Sequence, residues 1–387
     1  MKKVLLREIT SFLARGVAPK YTEKDDFYVL NQKCIRDWRV SLKDARFTDT
    51  EAKKVHDDRI LRDNDILVNS TGQGTLGRVA QFLKLDRPAT VDSHITIVRP
   101  NPDLVFPEYL GYVLKGRQNE IELLAEGSTG QTELSKLKLA NLSIDLPPLD
   151  QQKKIADILS SLDEKIDLNR RMNETLEQLG QTLFRHYFVD NPEARSWESG
   201  EVSDMVRIYS GFAFKGKDFD IDGRYGLVTI KNVQDGSFIK DCTDHLSEPL
   251  PDKIPDHVHL KSGDIILSLT GNVGRVCAVV GRDYLLNQRV AKLVSDESQA
   301  YVYFLFRSKT MKDRMVGISK GTAQKNLSPI ETGKLKIKIP PTNIMSQFEE
   351  SAMNLLNMIV SNNEQIQNLT SLRDSLLPKL ISGDIIL

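Results

Sequence analysis

Paired cysteines are missing from this chain. Its three cysteines, Cys34, Cys242 and Cys277, form no CxxC motif and no even framework. A disulfide scaffold is therefore not expected, and a reducing cytoplasm is the expected compartment. No stretch approaches the ~18 apolar residues of a membrane span, so no membrane partner is expected. The apolar run in the opening MKKVLLREIT is too short for a signal peptide. Net charge is missing too: 53 basic residues balance 53 acidic ones. That balance fits poorly with strong stand-alone binding to a polyanion.

Catalytic signatures are equally scarce. No GxxxxGK[ST] phosphate loop occurs. A DNA methyltransferase needs an Asn/Asp-Pro-Pro-aromatic tetrapeptide. The two Pro-Pro pairs instead lie in Leu146-Pro-Pro-Leu149 and Ile339-Pro-Pro-Thr342. His257-Val-His259 has a spacing that suits a metal, but no carboxylate or cysteine cluster accompanies it. Solvated loop histidines are the plainer reading. Gly72-Gln-Gly74-Thr-Leu-Gly77 matches GxGxxG, yet Arg78-Val-Ala-Gln-Phe82 after it reads as strand. No helix N-terminus would then face a pyrophosphate, so a tight turn between strands is expected instead of a nucleotide site. His94, which aligns with Gln288 or Arg289, faces a ligand or serves its own loop.

What the chain does have is a second copy of itself. Arg62–Phe82 reads RDNDILVNSTGQGTLGRVAQF and Lys261–Val280 reads KSGDIILSLTGNVGRVCAVV. Gln131-Thr-Glu-Leu-Ser135 and Gln324-Lys-Asn-Leu-Ser328 lie 193 residues apart, as do Pro147-Pro148 and Pro340-Pro341. Four segments follow: a body at 1–149, a helix at 150–190, a second body at 191–343 and a helix at 344–387. Charge divides along them. The bodies carry 23 basic against 21 acidic and 22 against 19, and the helices 6 against 8 and 2 against 5. Any polyanion is thus expected on the bodies.

Each body reads as mixed α/β. Strands are expected at Tyr28–Leu30, Asp65–Val68, Ile95–Val98, Leu142–Leu146, Leu227–Ile230, Asp264–Leu269 and Ala291–Val294, and helices at Phe106–Leu124 and Ala300–Val316. Asp150–Phe188 has a helical apolar stripe that includes Ile155, Leu159, Ile166, Met172 and Leu179. The second long helix is expected over 344–377, ending near Pro378. Ile155, Leu162, Asn169, Leu176 and Leu183 are spaced by seven and map onto Phe348, Leu355, Asn362, Leu369 and Leu376. A lone Asn on such a line costs stability but fixes register. Antiparallel pairing would set Asn169 against Asn362; the alternative turns one or both to solvent.

Together these features resemble the specificity subunit of type I restriction–modification systems, over essentially the whole chain. The resemblance rests on the order body–helix–body–helix and on local signatures. These are Gly271-Asn-Val-Gly-Arg275, Gly321-Thr-Ala-Gln-Lys-Asn-Leu-Ser328, Leu146-Pro-Pro-Leu-Asp-Gln-Gln152, Leu183-Phe-Arg-His-Tyr-Phe188 and Ser375-Leu-Leu-Pro-Lys-Leu-Ile-Ser-Gly383. It implies an α+β fold with two similar target recognition domains separated by two long antiparallel helices in a coiled coil. Each domain would read one half of a bipartite, asymmetric site in double-stranded DNA. The helices would dock two modification (methyltransferase) subunits, which bind S-adenosylmethionine and methylate adenine. Restriction subunits would add ATP- and Mg-dependent translocation and cleavage. The chain itself would hold no cofactor, no metal and no catalytic residue. One departure stands out: Thr342-Asn-Ile-Met-Ser-Gln347 follows the second Pro-Pro, where the first has Leu-Asp-Gln-Gln.

A helix of about 38 residues spans roughly 57 Å, more than the roughly 34–36 Å of one DNA turn, so such helices bound the gap between half-sites. Candidate DNA-contacting residues lie on the repeated turns and loops. They are Thr71, Gln73, Arg78 and Gln131 in the first body, and Thr270, Asn272, Arg275, Gln324 and Lys325 in the second. Arg and Lys suit guanine or phosphate, and Gln and Asn suit adenine. For each, bonding to its own turn is the even alternative. A free-standing bipartite DNA-binding regulator, and an enzyme holding a nucleotide on the glycine turn, are the competing functions.

Overall fold

A computed structural model describes every residue except Met1, Asp25, 128–131, 322–323 and Ile386. The chain forms two compact units, Met1–Glu164 with Ser371–Leu387, and Lys165–Thr370. Each unit holds one body and a stretch of both long helices.

In the first unit an antiparallel sheet runs in the order Thr10–Arg15, Ile95–Pro100, Ile66–Asn69, Val79–Gln81. The central two strands are buried along their whole length, which explains their largely apolar sequences; the buried Arg99 is paired with Asp65 at 2.7 Å. A second sheet pairs Tyr28–Leu30 parallel to Ala89–Val91 and antiparallel to Arg46–Thr48. The second unit repeats the first sheet as Arg207–Ser210, Val290–Val294, Ile265–Ser268, Val276–Ala278. It repeats the parallel pair as Tyr225–Val228 with Tyr284–Leu286. The copies differ at that sheet's edge, where His259–Leu260 adds a strand beside Tyr284–Leu286. The two expected body helices are each broken in two. The first becomes Pro107–Gly116 and Gln118–Leu123, and the second Gln299–Arg307 and Lys309–Ile318. At the second break the Ser308 hydroxyl accepts the Met311 N–H at 3.3 Å and caps the next helix.

The long helices cover Leu149–Phe184 and Thr342–Ser382. The Pro-Pro pairs end the strands and start the helices, since the Pro148 and Pro341 carbonyls accept the first helical bonds from Gln152 and Met345, both at 3.0 Å. Pro378 does not end the second helix as expected. The helix continues to Ser382 because Leu377 and Leu380 are buried in the first unit's core with Ile155, Ala156 and Leu159. That packing outweighs one lost backbone bond. The first helix closes in a π-helical turn, Arg185–Val189, where Phe188 lies 4.9 Å ring to ring from both Tyr301 and Phe348. The Leu183–Phe188 signature is thus an aromatic lock in the second unit.

The departure after the second Pro-Pro also has a structural reading. In the first unit the buried Gln152 amide accepts the Phe106 N–H at 2.8 Å and donates to the Pro147 carbonyl at 2.7 Å, tying helix to body. In the second unit Glu349 takes that task, accepting the N–H groups of Ala300 (2.7 Å) and Tyr301 (3.0 Å). Burial raises the Glu349 carboxyl above its usual range, against the pull of those N–H groups.

Asn169 and Asn362 are both buried, at 1% and 6% exposure. The expected Asn169–Asn362 pair is replaced by other partners. Asn169 donates to Gln365 at 3.2 Å, and Asn362 donates to Asn173 at 2.9 Å. The antiparallel register is therefore about one turn away from the one that would align the two heptad lines. Packing of Phe184 and Phe188 on Phe348 fixes it at the body end of the second unit. Leu179, expected on the apolar stripe, is 46% exposed.

Candidate nucleic-acid interface

Three loops meet at one end of the antiparallel sheet in each body. The glycine turn joins the third strand to the fourth, as its sequence suggests, and no helix follows it. The Gly77 and Gly274 N–H groups bond back to Asn69 O (2.9 Å) and Ser268 O (3.1 Å), and both glycines have φ of +80°, which an L side chain rarely adopts. The GxGxxG match thus reflects turn geometry.

The polar loop before Leu134 and Leu327 crosses this turn. Leu134 N bonds Ser70 O at 2.8 Å, and Leu327 N bonds Leu269 O at 2.7 Å. Thr71 bridges Glu133, Thr270 bridges Asn326, and Gly271 N bonds Lys325 O at 3.0 Å. The third loop is a short Asx turn. Ser70 N bonds His94 O at 2.8 Å, and Leu269 N bonds Arg289 O at 3.0 Å. Within it the Asp92 and Asn287 Oδ1 atoms accept the N–H two residues on, from His94 (2.9 Å) and Arg289 (3.4 Å). Ser70 and Leu269 are thus the equivalent points at which the three loops join.

The predicted residues divide on this frame. Gln73, Asn272, Gln324 and Lys325 are exposed at the tips. Thr71 is half-buried and shares a 2.7 Å hydrogen bond with His94 Nδ1. Thr270 is 6% exposed and offers little surface. Arg78 donates to Gly74 O at 2.9 Å, and Arg275 donates to Gln234 Oε1 at 2.6 Å, so both guanidinium groups are bonded within the chain. Gln131 lies outside the described residues. Sequence reasoning did not nominate Gln288 and Arg289, which are exposed on the third loop beside the glycine turn. Their signal was the shared Asx residue two positions before His94 and Arg289.

The other chemistry noted in the sequence is otherwise engaged. His257 stacks on Tyr209 at 4.7 Å and its Nε2 lies 3.0 Å from Ser210 O. Among the described residues no group of three His, Cys, Asp or Glu side chains is placed to hold a metal. Burial pushes Cys34 up to about 11 and Cys242 and Cys277 up to about 12, so none is a ready nucleophile at neutral pH.

Two segments of the chain, 20–178 and 194–368, match the family model of the type I restriction modification DNA specificity domain. The chain belongs to this family of specificity subunits. It is 24% identical to the type I restriction enzyme HindI specificity subunit of Haemophilus influenzae, over 92% of each chain. It is 28% identical to the MjaIX specificity subunit of Methanocaldococcus jannaschii, over 77% of this chain and 73% of that one. In fold it resembles the crystal structure of the type I restriction–modification S subunit from M. genitalium, with TM-score 0.61 and 18% identity, covering 98% and 95% of the two chains. A specificity subunit recognises DNA sequence within such a system and is not its catalyst. The paired three-loop tips are where this specificity subunit presents exposed polar side chains on a fixed frame. No helix among the described residues is long and apolar enough to cross a membrane.

Proposed function

We propose that each body reads one half of a bipartite, asymmetric DNA site through its three-loop tip. Recognition bodies would occupy 1–149 and 191–343, and spacer helices 150–190 and 344–387. One observation carries the reading. Both bodies hold the same main-chain frame at Ser70 and Leu269, while the exposed side chains on it differ: Gln73 and His94 in one, Asn272, Gln324, Lys325 and Arg289 in the other. A kept frame with changed hydrogen-bonding groups is what two readers of different words require, because base-edge contacts carry the sequence and phosphate contacts only position the protein.

The two long helices set the gap between half-sites and dock two modification subunits. Those subunits bind S-adenosylmethionine and methylate adenine. Restriction subunits add ATP- and Mg-dependent cleavage, and the complex works in the cytoplasm. The near-neutral chain leaves much of the phosphate-binding charge to these partners. Methylome sequencing of the host with and without the gene tests the reading. A bipartite N6-methyladenine motif should vanish on deletion; a methylome with no change would contradict it.

A further inference from the structure

The third loop of the second body joins a firmly held backbone to two outward side chains, Gln288 and Arg289, that follow its Asx residue Asn287. In the second body its backbone is held on every side. Asn287 N bonds Val228 O (3.0 Å), Gln288 N bonds Phe212 O (3.0 Å), Val290 N bonds Asn287 O (2.9 Å) and the Arg289 carbonyl accepts Leu269 N. Gly211 lies directly beneath, where a Cβ would sit 2.2 Å from the Asn287 carbonyl oxygen. The first body builds the same support. Gly16 lies under Asp92, a Cβ there would sit 2.0 Å from the Val91 oxygen, and Val17 bridges Asp92 as Phe212 bridges Asn287.

On this rigid base the outward residues are Ser93 and His94 in one body, Gln288 and Arg289 in the other, all exposed. Among the described residues neither Gln288 nor Arg289 has a side-chain hydrogen bond or ion pair, whereas Arg78, Arg275 and Arg307 are all bonded within the chain. A free guanidinium on a fixed backbone is pre-organised for bidentate contact, since only the side chain's own freedom is lost on binding.

We infer that Arg289, with Gln288 beside it, is a specificity-determining residue of the second body that reads a guanine by its O6 and N7 edge. Ser93 and His94 occupy the corresponding place in the first body. The inference rests on the two-reader function proposed above and adds a residue outside the glycine turn and the Gln loop. Arginine is the side chain that grips those two acceptors together, and lysine carries the charge without the fork.

The test is the methylation motif of cells carrying the intact complex with Arg289→Ala or Arg289→Lys. Both variants should keep the first half-site and the gap, and both should let one guanine position of the second half-site become degenerate. A randomised second half-site, selected in vitro with the purified complex, reads the same change if cellular methylation falls too low. The inference is overturned if the motif stays unchanged while Arg289→Ala lowers methylation evenly and Arg289→Lys restores it, since that is a phosphate contact. It is also overturned if the first half-site changes. The function itself is tested separately by gene deletion, so an intact deletion phenotype with an unaltered motif in both variants removes this inference alone.

Discussion

Single residues set both the rigidity and the pH response of the bodies. A Cβ on Gly180 would lie 2.1 Å from ring carbons of Phe304, which is fully buried. Gly180→Ala therefore overpacks the contact between the first long helix and the second body. It should cost about 1–3 kcal/mol in denaturant unfolding of the full chain. Asp92 offers a finer experiment. Burial raises its carboxyl above the ordinary range, and the His94 N–H opposes that only in part. With a raised folded value, the stability linked to this group is complete below the unfolded value of about 3.9 and declines as pH rises through the folded value. Asn287 fills the same place in the second body without a charge. Asp92→Asn should keep the bond to His94 N and gain in melting temperature over the wild type as pH climbs from about 4 to neutrality. Identical pH profiles for the two proteins would contradict the assignment.

At the scale of elements, the sequence repeat marks what must be the same and misses what is specific. The strands around Ile66–Asn69 and Ile265–Ser268 were legible because central strands buried on both faces need unbroken apolar runs. The glycine turns were legible because positive φ restricts residue choice. The helix register was not. Heptad spacing names a seam but not which rungs face each other, and the aromatic lock at Phe184, Phe188 and Phe348 sets it about one turn away. The break at Ser308 carries no glycine or proline to mark it, and Gly116, directly before the break at Arg117, is a residue that a helix interior also tolerates. The Gln288-Arg289 tip escaped because only its Asx residue is shared with Ser93-His94. Gln152 and Glu349, which tie each helix to its body, were hidden by sitting at different positions in the two copies.

The seam itself is open to test. Asn169 is buried with one 3.2 Å bond to Gln365, and its Oδ1 has no hydrogen-bond partner. Asn169→Leu should stabilise the chain by about 1 kcal/mol, because it removes a buried unsatisfied acceptor. A drop in melting temperature would show that the amide stabilises the pair. Adding seven residues to each helix, after Asn169 and after Gln365, preserves the heptad phase. In the proposed spacer role it should widen the unspecified gap by about three base pairs and leave both half-sites intact. An unchanged gap in the methylated motif argues against that role.

For the whole molecule, zero formal charge is in keeping with the proposed division, in which this chain reads the bases and its partners supply much of the phosphate contact. The isolated chain should bind DNA more weakly than the assembled complex, with a shallower salt dependence, because fewer phosphates are neutralised. Equal affinities and slopes would place the phosphate contacts on this chain alone. The central claim is that one chain carries two independent readers. The most direct measurement is the methylation motif after substituting the tips one body at a time, Gln73 and His94 to alanine in one strain and Asn272, Gln324 and Lys325 to alanine in another. The account predicts that the two strains lose specificity in different half-sites, with the other half and the gap unchanged. Degeneracy in both halves from either set, or in the same half from both sets, would contradict it.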